Sequence, residues 1–408
     1  MKDIIERFIS YTKINTMSYD DAGKCPSSDN EFILARQLEE ELKGMNLENV
    51  HVDDNCFVYA TLPGNTDKKC STVGFLAHMD TSNAASGENV KARIIEDYDG
   101  KDIELSEGIY TTVKDYPDIA KLKGKSIIVT DGTTLLGADD KAGIAIIMDA
   151  LQKLVSNPEI KHGTIRVCFT PDEETGTGIH NINKEDFDCD FAYTVDGGEV
   201  SEVTYENFNA ASAIVNFLGN SIHPGDAKGK MINALQLAMD FHGQLPVFAR
   251  PEHTEAREGF NHLVSLQGEV EKATAVYIIR NHDAELLEKQ KKQFELIADY
   301  MNKMYEHEVV KLNIRNTYRN MKEMFADKMY IIDVVSDTLS ELGITPSYSP
   351  IRGGTDGAQL TYMGIPTPNL GTGGKFFHGN HELVCIDDMK TMSEVVFNLI
   401  QNIEKRGL

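Results

Sequence analysis

The sequence predicts an α/β protein whose main domain, a mixed central sheet flanked by helices, is interrupted by a smaller ferredoxin-like α+β domain. Three observations carry this expectation. Apolar stretches of strand length at 71–78, 164–170 and 191–195 each run into a histidine or acidic residues, as buried strands do when they deliver side chains to the carboxyl edge of a sheet. Between about Phe208 and Asn320 the pattern becomes strand, helix, strand, strand, helix, strand, the order of the split β-α-β-β-α-β unit. At 408 residues the chain also exceeds what one hydrophobic core usually serves. The expected boundaries are 1–207 and 321–408 for the main domain and 208–320 for the smaller one.

In chain order, residues 1–11 alternate charged and apolar positions as an amphipathic helix does, without the unbroken apolar run of a secretion signal. Phe32, Ile33, Leu38 and Leu42 fall near helical spacing in 29–43, and Gly44 follows as a stop. A strand is expected at 57–62 and another at 71–78. Residues 84–126 are polar and patternless, and are expected to be an irregular insertion. A helix at 140–155 has an apolar middle from Ile144 to Met148. Strand 164–170 leads into Pro171-Asp172-Glu173-Glu174, and strand 191–195 ends at Asp196. The smaller domain is read as strands 211–218, 262–271, 272–280 and 309–315 with helices 233–245 and 284–305. The main domain resumes near Asp327 and closes with a helix at 387–404.

Composition narrows the function. Asp plus Glu number 64 against 40 Lys plus Arg, and a net charge of -24 repels polyphosphates and anionic lipid surfaces, so neither nucleic acid nor membrane is an expected partner. No segment approaches the ~18 to 20 apolar residues of a membrane span. Six cysteines without C-x-x-C spacing argue against a disulfide framework and against thiolate zinc, which suits a cytoplasmic location. Gly353-Gly354 and the glycines of 371–374 lack the frame of a phosphate-binding loop.

The residues that could carry chemistry cluster at the strand ends. In His78-Met79-Asp80 the two polar side chains are two apart on a strand, so Asp80 can lie beside the His78 ring and fix its tautomer. Gly137-Ala138-Asp139-Asp140-Lys141 puts two carboxylates at a strand-to-helix junction, where helix capping needs only one. Glu173 and Glu174 repel one another unless a cation offsets them. If Glu174 binds that cation, Glu173 is free to take a proton from water. Asp196 precedes two glycines, and His378 sits in Phe377-His378-Gly379-Asn380-His381-Glu382. Each alone has a plainer reading, as a helix cap, a solvated turn or a loop histidine. Together, two imidazoles and three carboxylates without a thiolate suit a pair of divalent ions such as zinc, cobalt or manganese sharing one carboxylate.

The ordered set His78-x-Asp80, Gly-Ala-Asp-Asp140-Lys, Glu173-Glu174, Asp196-Gly-Gly and His378-x-x-x-Glu382 resembles the dinuclear zinc exopeptidases related to carboxypeptidase G and the diaminopimelate desuccinylases. The segments 205–211, 223–231 and 352–357 are similar to those of the members that act on tripeptides. The resemblance implies a zinc-exopeptidase-like catalytic domain, two zinc ions per subunit, and release of the N-terminal residue from tripeptides by a water bridged between the ions. It implies that Asp140 bridges, with His78 and Asp196 on one ion and Glu174 and His378 on the other. Asp80 would orient His78, and Glu173 would be the general base. His223 would stabilise the oxyanion. Arg280 and Arg352 are the candidates for holding a peptide's C-terminal carboxylate, because a guanidinium offers a planar fork for bidentate binding. His381 matches no ligand position. Small peptides are the implied partners, with the smaller domain as a lid and as the contact of a homodimer.

Overall fold

The computed structural model describes residues 2–20 and 22–408. These form two compact units, one of Met1–Tyr205, Met324–Ser349 and Thr355–Leu408, the other of Glu206–Glu323 with Pro350–Gly354. The second unit therefore starts two residues before the expected 208, ends three after 320, and also takes in the segment at 350–354. Glu206 shows why. Its carboxylate is held by Arg257 at 2.7 Å and Lys322 at 3.1 Å, and its carbonyl accepts from Ile351 N–H at 2.9 Å.

In the first unit a seven-stranded mixed sheet runs Glu48–Val52, Val58–Leu62, Ile165–Thr170, Val73–His78, Phe191–Gly197, Asn369–Gly371 and Val203–Thr204. The strands Ile165–Thr170, Val73–His78 and Phe191–Gly197 are parallel neighbours, with His78 opposite Thr170. Every residue of Val73–His78 is buried, because both faces of this central strand are covered. Helix Ala138–Ser156 packs on the sheet through Ala142–Met148, all buried, and helix Ile386–Arg406 ends at Gly407, whose φ of 66° is a left-handed stop. The N-terminal helix spans Ile4–Thr12, capped by Asp3. Met1, part of the helix expected at 1–11, lies outside the described residues. No helix among the described residues is long and apolar enough to cross a membrane, and all six cysteines are unpaired.

The expectation of an irregular insertion at 84–126 is corrected. Arg93–Ile95, Ile103–Ser106 and Ile109–Thr111 are short strands, Pro117–Leu122 is a 3-10 turn, and Tyr98, Ile103, Leu105, Ile119 and Leu122 are buried in a shared core. Each strand has only three or four residues, too few for an alternating pattern to show. Arg93–Ile95 joins a four-stranded sheet with Ile127–Val129, Leu383–Cys385 and Gly374–Lys375.

The second unit is a four-stranded antiparallel sheet, in the order Phe260–Gly268, Lys272–Asn281, Asn209–Leu218 and Val310–Tyr318, with helices Ala234–Gly243 and Ala284–Met304. The chain order and the pairing of the first strand with the third and fourth are those of the split unit. Ala211, Ala213, Val215 and Phe217 alternate with more exposed residues and pack with Phe241, Tyr277 and Phe294 beneath the helices.

Candidate metal centre

Three parallel strands place the site. His78 ends one, Glu173 and Glu174 follow the second, and Asp196 lies near the end of the third, so all reach the same edge of the sheet. The His78 ring is 2% exposed and fixed at both nitrogens. Its Nδ1 lies 3.0 Å from the Asp80 carbonyl and 3.4 Å from the Asp80 carboxylate, while Nε2 faces Asp139 at 2.8 Å and Asp196 at 3.4 Å. One face is thus oriented by Asp80 and the other is aimed into a group of carboxylates, the division that a metal-ligating histidine needs. Asp80 does a second job, because its two carboxylate oxygens accept from Glu173 N–H at 2.9 Å and Glu174 N–H at 3.1 Å.

His378 closes the cluster from the loop near the end of the chain. Its Nε2 is 3.0 Å from Asp139 Oδ2 and 3.0 Å from Glu174 Oε1. Asp139 therefore spans the two histidines, one oxygen to each. Asp140 makes a different set of hydrogen bonds. Its oxygens accept from His78 N–H and Gly143 N–H, both at 3.2 Å, although it also lies within ligand reach of His78 and Asp196. Of the two neighbours, Asp139 is the one that contacts both histidines. Asp140 ties its oxygens to the N–H groups of His78 and Gly143, while Asp139 presents one oxygen to each histidine. A side chain at Gly143 is excluded, since a Cβ there would meet Val195 O at 1.8 Å.

Glu382 is the functional-site residue that sequence reasoning quoted but gave no role. It is 2% exposed, and its Oε2 accepts from Leu136 N–H at 2.6 Å and Gly137 N–H at 2.7 Å while Oε1 accepts from Asp139 N–H at 3.1 Å. Its spacing of four from His378 was the available signal. A buried Asp356 also stands behind the site, accepting from Thr170 Oγ1 at 2.8 Å.

The electrostatics describe a pocket short of positive charge. Burial pushes Glu173 and Asp140 above the usual carboxylate range and Asp196 up to about 7. His378 is pushed up to about 11 by hydrogen bonds to Asp139 and Glu174. Burial also works against ionised Asp139, but the facing imidazoles His378 and His78 outweigh it and hold the carboxyl below its ordinary value. Protonated imidazoles here stand in for cations. Ligand atoms of His78, Asp139 and Glu174, and of His78, Asp140 and Asp196, lie within 4.8 Å of one another. Nitrogen and carboxylate donors in such a set, with no thiolate, fit divalent ions.

The remaining expected residues lie in the second unit. His223 is exposed, and its Nδ1 accepts from Gly225 N–H at 3.1 Å. Arg280 is half-buried over the Tyr318 ring at 4.9 Å, with Nη1 donating to the carbonyls of Ala211 and Ile279. Arg352 donates through Nη1 to the carbonyls of Ala256 and Glu258, at 2.7 and 3.1 Å, and through Nη2 to Thr254. That guanidinium braces the 254–258 segment, so its fork is already engaged and a carboxylate would have to displace these bonds.

A mixed α/β fold that gathers two imidazoles and several carboxylates at one sheet edge fits the class of metal-assisted hydrolases. The chain belongs to peptidase family M20/M25/M40, whose model matches residues 129–402. It is 48% identical to peptidase T of Geobacillus sp. strain WCH70, with 99% of each chain covered, and 47% identical to peptidase T of Clostridium perfringens, with 98% and 99% covered. Among solved structures it shares the fold of aminopeptidase PepT from Bacillus cereus, at a TM-score of 0.76 and 22% identity over 98% of both chains. A dinuclear metal binding peptidase of the M20 family from Bacillus subtilis superposes at a TM-score of 0.65, with 14% identity and 99% and 98% coverage.

Proposed function

We propose that this protein is an aminopeptidase that releases the N-terminal residue of tripeptides, using two zinc ions and Glu173 as general base. The observation that carries the reading is Asp139 set between His78 and His378 with Glu173 and Glu174 beside them. His78 and Asp196 would hold one ion, Glu174 and His378 the other, and Asp139 rather than Asp140 would be shared. Once bound, such ions polarise a peptide carbonyl and draw the pKa of a shared water down towards ~7.

The chain's own groups do the proton work. Glu173, ionised beside the bound cations, would take a proton from water and pass it to the leaving amine. Asp80 holds the Glu173 and Glu174 backbone through two hydrogen bonds and steadies the His78 ring, so base and ligands keep one geometry. His223 enters as oxyanion donor on the resemblance alone, and a homodimer through the second unit has the same basis; Arg280 and Arg352 enter as carboxylate partners for their planar guanidinium forks.

The tripeptide preference is supported by full-length relatives named peptidase T. The test is hydrolysis of tripeptides, dipeptides and N-acetyl amino acids by chelated and zinc-restored protein. Zinc-dependent cleavage confined to tripeptides with a free amino end is the expected result. Preference for N-acetyl amino acids would make it an amidohydrolase instead.

A further inference from the structure

The His378 loop and the 93–129 region are parts of one frame. Gly374–Lys375 and Leu383–Cys385 pair with each other, so the residues between them connect two neighbouring strands. Leu383–Cys385 pairs on its other side with Ile127–Val129, which pairs in turn with Arg93–Ile95. Leu383 and Cys385 are fully buried in the same core as Tyr98, Ile103, Ile119 and Leu122.

Inside that connection the backbone is held in an unfavourable form. Phe376 and His378, neither a glycine, adopt φ of 59° and 63°, which needs support from surrounding structure. The support brackets His378. Two residues before it, Phe376 meets the edge of the Tyr116 ring at 4.8 Å; three residues after it, His381 lies against the same ring, also at 4.8 Å. His381 Nδ1 and Thr111 Oγ1 share a hydrogen bond of 2.9 Å, and Thr111 is 1% exposed.

We propose that Thr111 and Tyr116 are positioning residues for His378. They hold its loop in the form that aims Nε2 at Asp139 and Glu174, so the short-stranded region at 93–129 sets the affinity of one of the two metal positions. This deepens the proposed function and rests on its assignment of His378 as a ligand. Loss of the Tyr116 ring frees the loop to relax to ordinary φ, which withdraws His378 and leaves His78 and Asp196 in place on their strands.

The test is a titration of metal-free protein with zinc against a chromophoric chelator, for the wild type and for Thr111→Val, Tyr116→Phe, Tyr116→Ala and His378→Ala. The thermal midpoint of each metal-free protein is recorded alongside. The wild type should take two ions, and His378→Ala should lose one. Tyr116→Ala should keep one ion at wild-type affinity and bind the other on the order of tenfold more weakly. Thr111→Val should shift the same ion in the same direction, and Tyr116→Phe, which keeps the ring, should match the wild type. If Tyr116→Ala does not fold, Thr111→Val decides. Equal weakening of both ions, or wild-type affinities in both Thr111→Val and Tyr116→Ala, overturns the inference and leaves the metal assignment standing. A wild type that takes fewer than two ions, or a His378→Ala protein that keeps both, overturns the assignment and the inference with it.

Discussion

Glu382 offers the sharpest perturbation, because one side chain holds three backbone N–H groups of the turn that presents Asp139. In Glu382→Ala the N–H groups of Leu136, Gly137 and Asp139 lose their acceptor, at about 1 to 3 kcal/mol each where water cannot replace it. Part of this is offset, since burying the carboxyl is itself unfavourable and pushes its pKa up to about 7. A net local loss of roughly 2 to 5 kcal/mol follows. Glu382→Gln is more selective. With its oxygen at the Oε2 position the amide keeps the Leu136 and Gly137 bonds and turns an NH2 towards Asp139 N–H, a loss of about 1 to 3 kcal/mol confined to that residue. Hydrogen exchange resolves the two, because local opening free energy sets amide protection. In the Gln variant the Asp139 amide should exchange roughly 5- to 150-fold faster while the Leu136 and Gly137 amides stay protected. In the Ala variant all three should speed up. Wild-type protection in both variants would refute the claim that Glu382 holds this turn.

The roles of the two adjacent aspartates separate by zinc stoichiometry: Asp139→Asn should lose tight binding of both ions, whereas Asp140→Asn should keep two and lose about 1 to 2 kcal/mol of stability from its weakened helix cap. Glu173→Ala should lower turnover by at least about 10²-fold with zinc content unchanged, measured by metal analysis beside peptide hydrolysis; retained activity would remove Glu173 as the base. Zinc binding at pH 8 should release a proton from His378, seen as a dependence of the calorimetric heat on buffer ionisation enthalpy. The sign follows from its folded-state pKa of about 11, above the ordinary ~6.5. In metal-free protein the His378 ion pair therefore stabilises fully below pH ~6.5, and that contribution fades as pH rises through about 11.

The parts of the fold that sequence made legible are those where one physical demand governs many residues. Strand Val73–His78 is buried throughout and reads as an unbroken apolar run, and the β-α-β-β-α-β order of the second unit follows from strands that alternate and helices that are amphipathic. The small sheet at 93–129 was illegible because its strands are three or four residues long and its core is completed by Leu383 and Cys385, far away in the chain. The same limit acted at the site. Strand ends and the resemblance single out His78, Glu173, Glu174, Asp196 and His378 as candidates, but Asp139 and Asp140 are chemically identical neighbours. Only the turn after Gly137, with Asp140 capping Gly143 and Glu382 holding Asp139 N–H, tells which carboxylate faces both histidines. Arg352 shows a different limit: its bonds to the carbonyls of Ala256 and Glu258 and to Thr254 join segments nearly a hundred residues apart, which no local pattern displays.

Anomalous diffraction from zinc-loaded crystals, collected on both sides of the zinc absorption edge, tests the central arrangement most directly. Two peaks should appear, one beside His78 and Asp196 and one beside Glu174 and His378, with the Asp139 carboxylate between them. A single peak, or two peaks joined by a different carboxylate, would contradict it.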